Sequence, residues 1–132
     1  MNIKTSKDLV NAAKKEITSI SAKQTKNLLD KDEITLIDVR DIRELWKEGT
    51  IKNSIHIPRG MLEFWLDPES SYYKEKKIKD IKKLVLFCAL GMRSALATKS
   101  LQEMGFKNIA DVEGGFDALK NIGLDIVKKE KK

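Results

Sequence analysis

Apolar positions change their spacing along the chain, and each change marks an element. Leu9, Val10, Ala13 and Ile17 recur near helical spacing behind Thr5-x-x-Asp8, a hydroxyl with an acid three residues on. This predicts a short amphipathic helix over 6–16, with Ile17 and Ile20 in a short strand after it. Ser21-x-x-Gln24 is a second capping box and opens a helix through Leu28 and Leu29. Residues 34–39 are almost continuously apolar and rich in β-branched side chains, as in a strand covered on both faces. Asp41-x-x-Glu44 caps a helix over about 42–47, which Gly49 ends. Ile55-His56-Ile57 is a further short strand before Pro58, and 61–66 read as a helical turn or two. Residues 67–82, with Pro68, two tyrosines and many charges, predict an irregular excursion. The strongest buried-strand signal is 84–88. A helix over about 93–104 follows, with Ala95, Leu96, Leu101 and Met104 on one side and Gly105 at its end. Ile109-Ala110-Asp111-Val112 is a last strand, and Gly114-Gly115 leads into a short helix with Phe116, Ala118 and Leu119. Strands alternating with helices predict an α/β fold with a mainly parallel sheet, whose ligands bind beyond the carboxyl ends of the strands.

Composition narrows the chemistry. At 132 residues the chain suits one domain with a real core. One cysteine rules out an internal disulfide framework and a thiolate zinc cluster, and one histidine rules out a His-rich metal site. No metal or cofactor is expected. The net charge of +6 comes from lysines spread end to end. Acids are mixed among them and no aromatic-basic stripe occurs, so nucleic-acid binding is not expected. The start of the chain lacks the apolar stretch of a secretory leader, and no run reaches transmembrane length. These features predict a soluble cytoplasmic protein that contacts no membrane. The four arginines, Arg40, Arg43, Arg59 and Arg93, lie close behind predicted strands.

Cys88 ends the strongest strand and precedes Ala89-Leu90-Gly91-Met92-Arg93-Ser94 and a helix. Unpaired amides of the loop and first helical turn, together with the helix dipole, favour an anion there. They therefore favour the thiolate. Gly91 permits a backbone that turns amides inward, and Arg93 adds a fixed planar cation. The competing reading is a small buried cysteine that only packs.

Cys88-x-x-Gly91-x-Arg93-Ser94 resembles the active-site loop of rhodanese-type sulfurtransferases. Two further blocks agree. One runs through Asp38-Val39-Arg40-Asp41-x-Arg43-Glu44, Trp46, Glu48-Gly49-x-Ile51 and Ser54-Ile55-His56-Ile57-Pro58. The other is Val112-Glu113-Gly114-Gly115-Phe116. The resemblance covers about 17–126 and departs at Thr50, where the family usually has histidine. It implies a three-layer α/β/α fold around a mainly parallel five-stranded sheet. The division expected is a helical extension over 1–16, the rhodanese-like domain over 17–126 and a flexible basic tail over 127–132.

The resemblance also implies transfer of a sulfane sulfur through a Cys88 persulfide, from a small anionic donor such as thiosulfate or a persulfide. The acceptor is a thiol or cyanide from outside the chain, since no second cysteine can receive the sulfur. A sulfur-relay or regulatory module acting on a partner protein is the alternative. Cysteine phosphatases space cysteine and arginine by five residues; here four separate Cys88 from Arg93, and no acid lies in the loop. Cys88 and Arg93 are the expected catalytic residues, although Arg93 could instead tie the helix start to a carboxylate. Ala89, Leu90, Gly91, Met92 and Ser94 would contact substrate, as would Arg59 if it faces the pocket rather than solvent. Asp38 either faces the site or orders nearby loops, and Arg43 joins Arg40 and Glu44 in an ion-paired scaffold. His56 points away from its apolar neighbours, as a hydrogen-bonded structural histidine. Met61, Phe64, Trp65 and Met92 could wall the pocket.

Overall fold

The computed structural model describes residues 2–74 and 82–131. Helix α1 (Ser6–Glu16), strand β1 (Ser19–Ile20), α2 (Ala22–Asp30), β2 (Ile34–Asp38), α3 (Ile42–Glu48), β3 (Thr50–Ile51) and β4 (Ile55–His56) come first. A 3-10 turn (Arg59–Met61), α4 (Leu62–Leu66), β5 (Lys83–Phe87), α5 (Met92–Glu103), β6 (Ile109–Val112), α6 (Gly115–Asn121) and β7 (Ile126–Val127) follow.

Three of the helices open as local chemistry dictates. Thr5, Ser21 and Asp41 each accept a hydrogen bond from an amide of the first turn, and the side chains of Asp8, Gln24 and Glu44 close the boxes back onto them. Each cap contributes about 1 kcal/mol.

Five strands form an all-parallel sheet in the order β1-β6-β5-β2-β4. The register pairs Asp38 with Phe87 and Leu86 with Asp111, so β2, β5 and β6 end side by side. Along β5 the side chains alternate. Leu84 and Leu86 face a layer with Leu62, Leu66, Ala97 and Leu101, and Val85 and Phe87 face Ala22, Phe116 and Leu119. This central strand is covered on both faces, which is why it reads as one apolar run. Helices α4 and α5 cover one face, α2 and α6 the other. Helix α1 lies outside α5, held by Val10 and Ala13 against Ala95 and by an ion pair between Glu16 and Lys99.

That outer helix alters the expected face of α5. Ser94, Ala97 and Thr98 are buried with Ala95 and Leu101, because α5 is covered by the sheet on one side and by α1 on the other. Met104 lies past the last turn and is exposed. The antiparallel pair β3–β7, outside the main sheet, was not among the expected elements, and it takes Val127 into a strand. In the predicted excursion, 67–74 form bends and turns; residues 75–81 fall outside the described ones. No described helix is long and apolar enough to cross a membrane.

Candidate functional site

β5 delivers Cys88 to the middle of the sheet's carboxyl edge, 1% exposed. The chain then turns tightly into α5. Gly91, at φ +112°, is the residue that makes this turn possible, since other side chains rarely adopt that conformation. The result is a main-chain cradle around sulfur. The amides of Gly91 and Ser94 donate to Cys88 Sγ at 3.1 and 3.3 Å. The Ser94 hydroxyl oxygen lies 3.5 Å from Sγ. These donors, at the positive end of α5, suit negative charge on sulfur.

The opposite side of the loop is held from α6. Phe116 donates its amide to the Cys88 carbonyl at 2.7 Å, and Asp117 donates more weakly to that of Ala89 at 3.4 Å. Gly115 makes this approach possible. A Cβ there would stand 2.4 Å from the Cys88 oxygen and 2.7 Å from the Ala89 oxygen. With two carbonyls turned toward α6, the amides farther along the loop face the sulfur. The double glycine was visible in the sequence, but its part in aiming the loop was not assigned.

Arg93 does not contact the sulfur directly. It forms a two-pronged bond to Glu44, Nη1 to Oε2 at 2.8 Å and Nη2 to Oε1 at 3.0 Å. The guanidinium pulls the Glu44 carboxyl below its ordinary range, and Glu44 in turn pushes Arg93 up. The pair borders an open cleft of about 400 Å³ shared with Asp41, Arg43 and Lys47. Arg43 is largely exposed and bonds Asp41 at 2.8 Å. It thereby holds that carboxyl at about 2.

Asp38 is engaged in a buried scaffold. Its carboxylate receives Arg40 Nε and Nη2 at 2.9–3.2 Å and the Thr50 hydroxyl at 2.6 Å. Arg40 also donates to the Gly49 carbonyl and lies 4.0 Å over the Phe116 ring. Thr50 thus occupies a buried structural position. His56 Nε2 lies 2.7 Å from the Arg40 carbonyl, which ties β4 to the same scaffold.

The remaining positions separate into two groups. Ala89 is partly exposed, and Leu90 and Met92 are exposed at the loop's rim. Phe64 is also exposed, edge-on to Tyr72, while Trp65 packs into the core and Met61 is half-buried. Arg59 pairs with Glu63 and lines a groove with α1 and the outer face of α5. None of residues 88–94 lines that groove.

Sequence reasoning passed over Asp111. Its Oδ1 accepts from the Ser19 hydroxyl at 2.5 Å and its Oδ2 from the Ser94 hydroxyl at 3.2 Å. Burial raises its carboxyl above the ordinary range. The available signal was an acid inside an otherwise apolar strand. No cluster of His, Cys, Asp and Glu among the described residues could hold a metal.

The Rhodanese-like domain family matches residues 21–122. A putative sulfurtransferase from Bacillus subtilis is 38% identical over 104 residues, spanning 78% of this chain and 90% of the relative. The polysulfide-sulfur transferase homodimer of Wolinella succinogenes superposes with a TM-score of 0.70 at 40% identity, over 93% of this chain and 87% of that one. A Rhodopseudomonas palustris protein of unknown function, described as a possible tyrosine phosphatase, gives a TM-score of 0.88 at 38% identity, over 96% and 97% of the two chains. Other relatives are tRNA uridine(34) hydroxylases, of which the chain spans 26–43%.

Proposed function

The chain belongs to the family of rhodanese-like domains, and from that premise we propose that it transfers a sulfane sulfur through a persulfide on Cys88. The observation that carries this reading is the pair of amides, from Gly91 and Ser94, aimed at Cys88 Sγ. In the first step the thiolate attacks the outer sulfur of a donor such as thiosulfate. A sulfur–sulfur bond forms on Cys88 and sulfite leaves with the bonding pair of the broken bond. In the second, an external thiolate or cyanide takes the outer sulfur and Cys88 regains its thiolate. The amides hold negative charge on either sulfur, as an oxyanion hole holds oxygen. Arg93 lies at the mouth, where it can exchange part of its bond to Glu44 for an anionic donor.

The same geometry argues against phosphate-ester chemistry. Four residues separate Cys88 from Arg93, and the loop carries no acid to protonate a leaving group. A second reading, relay of the sulfur to a protein acceptor, draws on Leu90 and Met92, which flank the cysteine as exposed apolar side chains.

Incubation with thiosulfate adds about 32 Da, one sulfur atom, to the protein and none to Cys88→Ala. Steady-state transfer to cyanide disappears in the same variant. Cys88→Ala protein with undiminished transfer would sink the proposal. A protein that gains the sulfur yet turns over poorly with small acceptors supports the relay.

A further inference from the structure

We propose that Asp111 is a positioning residue for the Cys88 sulfur, acting through the Ser94 hydroxyl as the far end of a two-step proton path. The inference rests on the sulfurtransferase reading for its purpose, since a sulfur nucleophile must lose its proton before it attacks. Its geometry stands by itself. Cys88 Sγ, Ser94 Oγ and Asp111 Oδ2 form one chain, with links of 3.5 and 3.2 Å. The thiol donates to the hydroxyl and the hydroxyl donates to the carboxylate. All three residues are at most 1% exposed, so the thiol proton has this internal acceptor close at hand. Beyond Asp111 lies a cavity of about 390 Å³ that Lys14, Ser19, Gly91 and Glu113 also line.

The step moves one proton and no electrons. The S–H bond of Cys88 breaks as an O–H bond forms on Ser94. The original Ser94 O–H bond breaks as one forms on Asp111 Oδ2. Ser94 is left with its new hydrogen aimed at the sulfur. The thiolate then has three donors: the amides of Gly91 and Ser94 and the Ser94 hydroxyl. The proton waits on Asp111. Burial makes that carboxyl more basic than a free one, which favours the transfer. The charged groups facing this chain are Lys14 from α1, Glu113 just after β6 and Arg93 from α5. Lys14 favours ionised Asp111 and Glu113 favours its protonated form.

Two groups that share one proton titrate as a pair. The signature that tests the proposal is a Cys88 thiolate that appears in two steps as pH rises. A lower plateau reflects the fraction of pairs with the proton on Asp111, and an upper step reflects loss of the last proton. Because the chain has one cysteine, ultraviolet absorbance with Cys88→Ala protein as the blank isolates this thiolate. In Asp111→Asn the lower step vanishes and the remaining step moves to lower pH, since a like charge beside the sulfur is gone. In Ser94→Ala the lower step also vanishes, but the remaining step moves to higher pH, since a donor to the thiolate is lost. A purely structural role would not send the two variants in opposite directions.

Ser19→Ala removes a donor to Asp111 without touching the sulfur, and it moves the lower step to higher pH. It carries the test if Asp111→Asn fails to fold. A single-step titration of the wild-type protein, or a lower step unmoved in Ser19→Ala, overturns the proposal. Mass spectrometry after thiosulfate treatment tests the sulfurtransferase reading separately. Two titration steps without an added sulfur would retain the proton path and discard that reading. An added sulfur with one titration step would do the reverse.

Discussion

Two arginine–carboxylate pairs stand near the ends of neighbouring strands, and each is two-pronged. Asp38 ends β2, Arg40 lies two residues beyond it, and both side chains are wholly buried. Glu44 and Arg93 stand at the mouth of the β5–α5 loop, with side chains 30% and 40% exposed. The first pair is surrounded by further partners: Thr50 on the carboxylate, and the Gly49 carbonyl and Phe116 ring on the guanidinium. The second opens onto a cleft. Similar bonds thus differ in what can replace them. Nothing from solution can substitute for a partner inside the scaffold. At the mouth, water or an anion can. One pair holds the strand ends in place, and the other stands open to solvent.

The largest effect expected is from Arg40→Leu. It strands the Asp38 carboxylate without its cation, and breaking a buried pair in this way costs about 3–5 kcal/mol. Urea unfolding reads this as a lower midpoint with an unchanged slope. A loss below about 1 kcal/mol would erase the contrast between the pairs, since that is the range of an exposed pair.

Arg93→Met should do the opposite. Its cost in stability stays within about 1 kcal/mol because the pair is solvated. The KM for thiosulfate rises about ten- to a hundredfold if the guanidinium contacts the donor's charge. Steady-state kinetics beside thermal unfolding separates the two quantities. An unchanged KM would leave Arg93 as a tie between α5 and α3 only.

The smallest effect is a pH dependence of stability. The Glu44 carboxyl lies below its ordinary value of 4.5 in the folded chain, chiefly through Arg93. Its contribution is therefore present above that value and is lost as pH falls through the lower folded one. Comparison of wild type with Glu44→Gln between pH 7 and pH 3 should show a difference that shrinks on acidification. Partial exposure limits it to about 0.5 kcal/mol. A difference that grows instead would mean that the folded carboxyl lies above 4.5.

What could be read from the sequence was local. The capping boxes at Thr5, Ser21 and Asp41 lie within one helical turn, and the chemistry that makes a cap needs nothing from the rest of the chain. The sulfur cradle has the same property: Cys88, Gly91 and Ser94 span seven residues, and their spacing already places two amides near the thiol. Strand β5 was legible because burial on both faces leaves no polar interruption. Contacts between distant residues left no such mark. Glu44 and Arg93 are 49 positions apart, so the arginine's partner stayed open between a carboxylate and a ligand. Ser19 meets Asp111 across 92 positions, and nothing near either residue announces the other. Strands β3 and β7 likewise pair distant residues, Thr50 with Val127 and Ile51 with Ile126.

The clamp by α6 on the Cys88 and Ala89 carbonyls has a further consequence. The loop is gripped by its backbone on one side and grips sulfur with its backbone on the other. The side chains of Ala89, Leu90 and Met92 contribute to neither grip. Their identities can drift, or be redesigned, while the cradle stays as it is. The shape of the rim and the shape of the cradle become separate variables, the one written in side chains and the other in peptide groups.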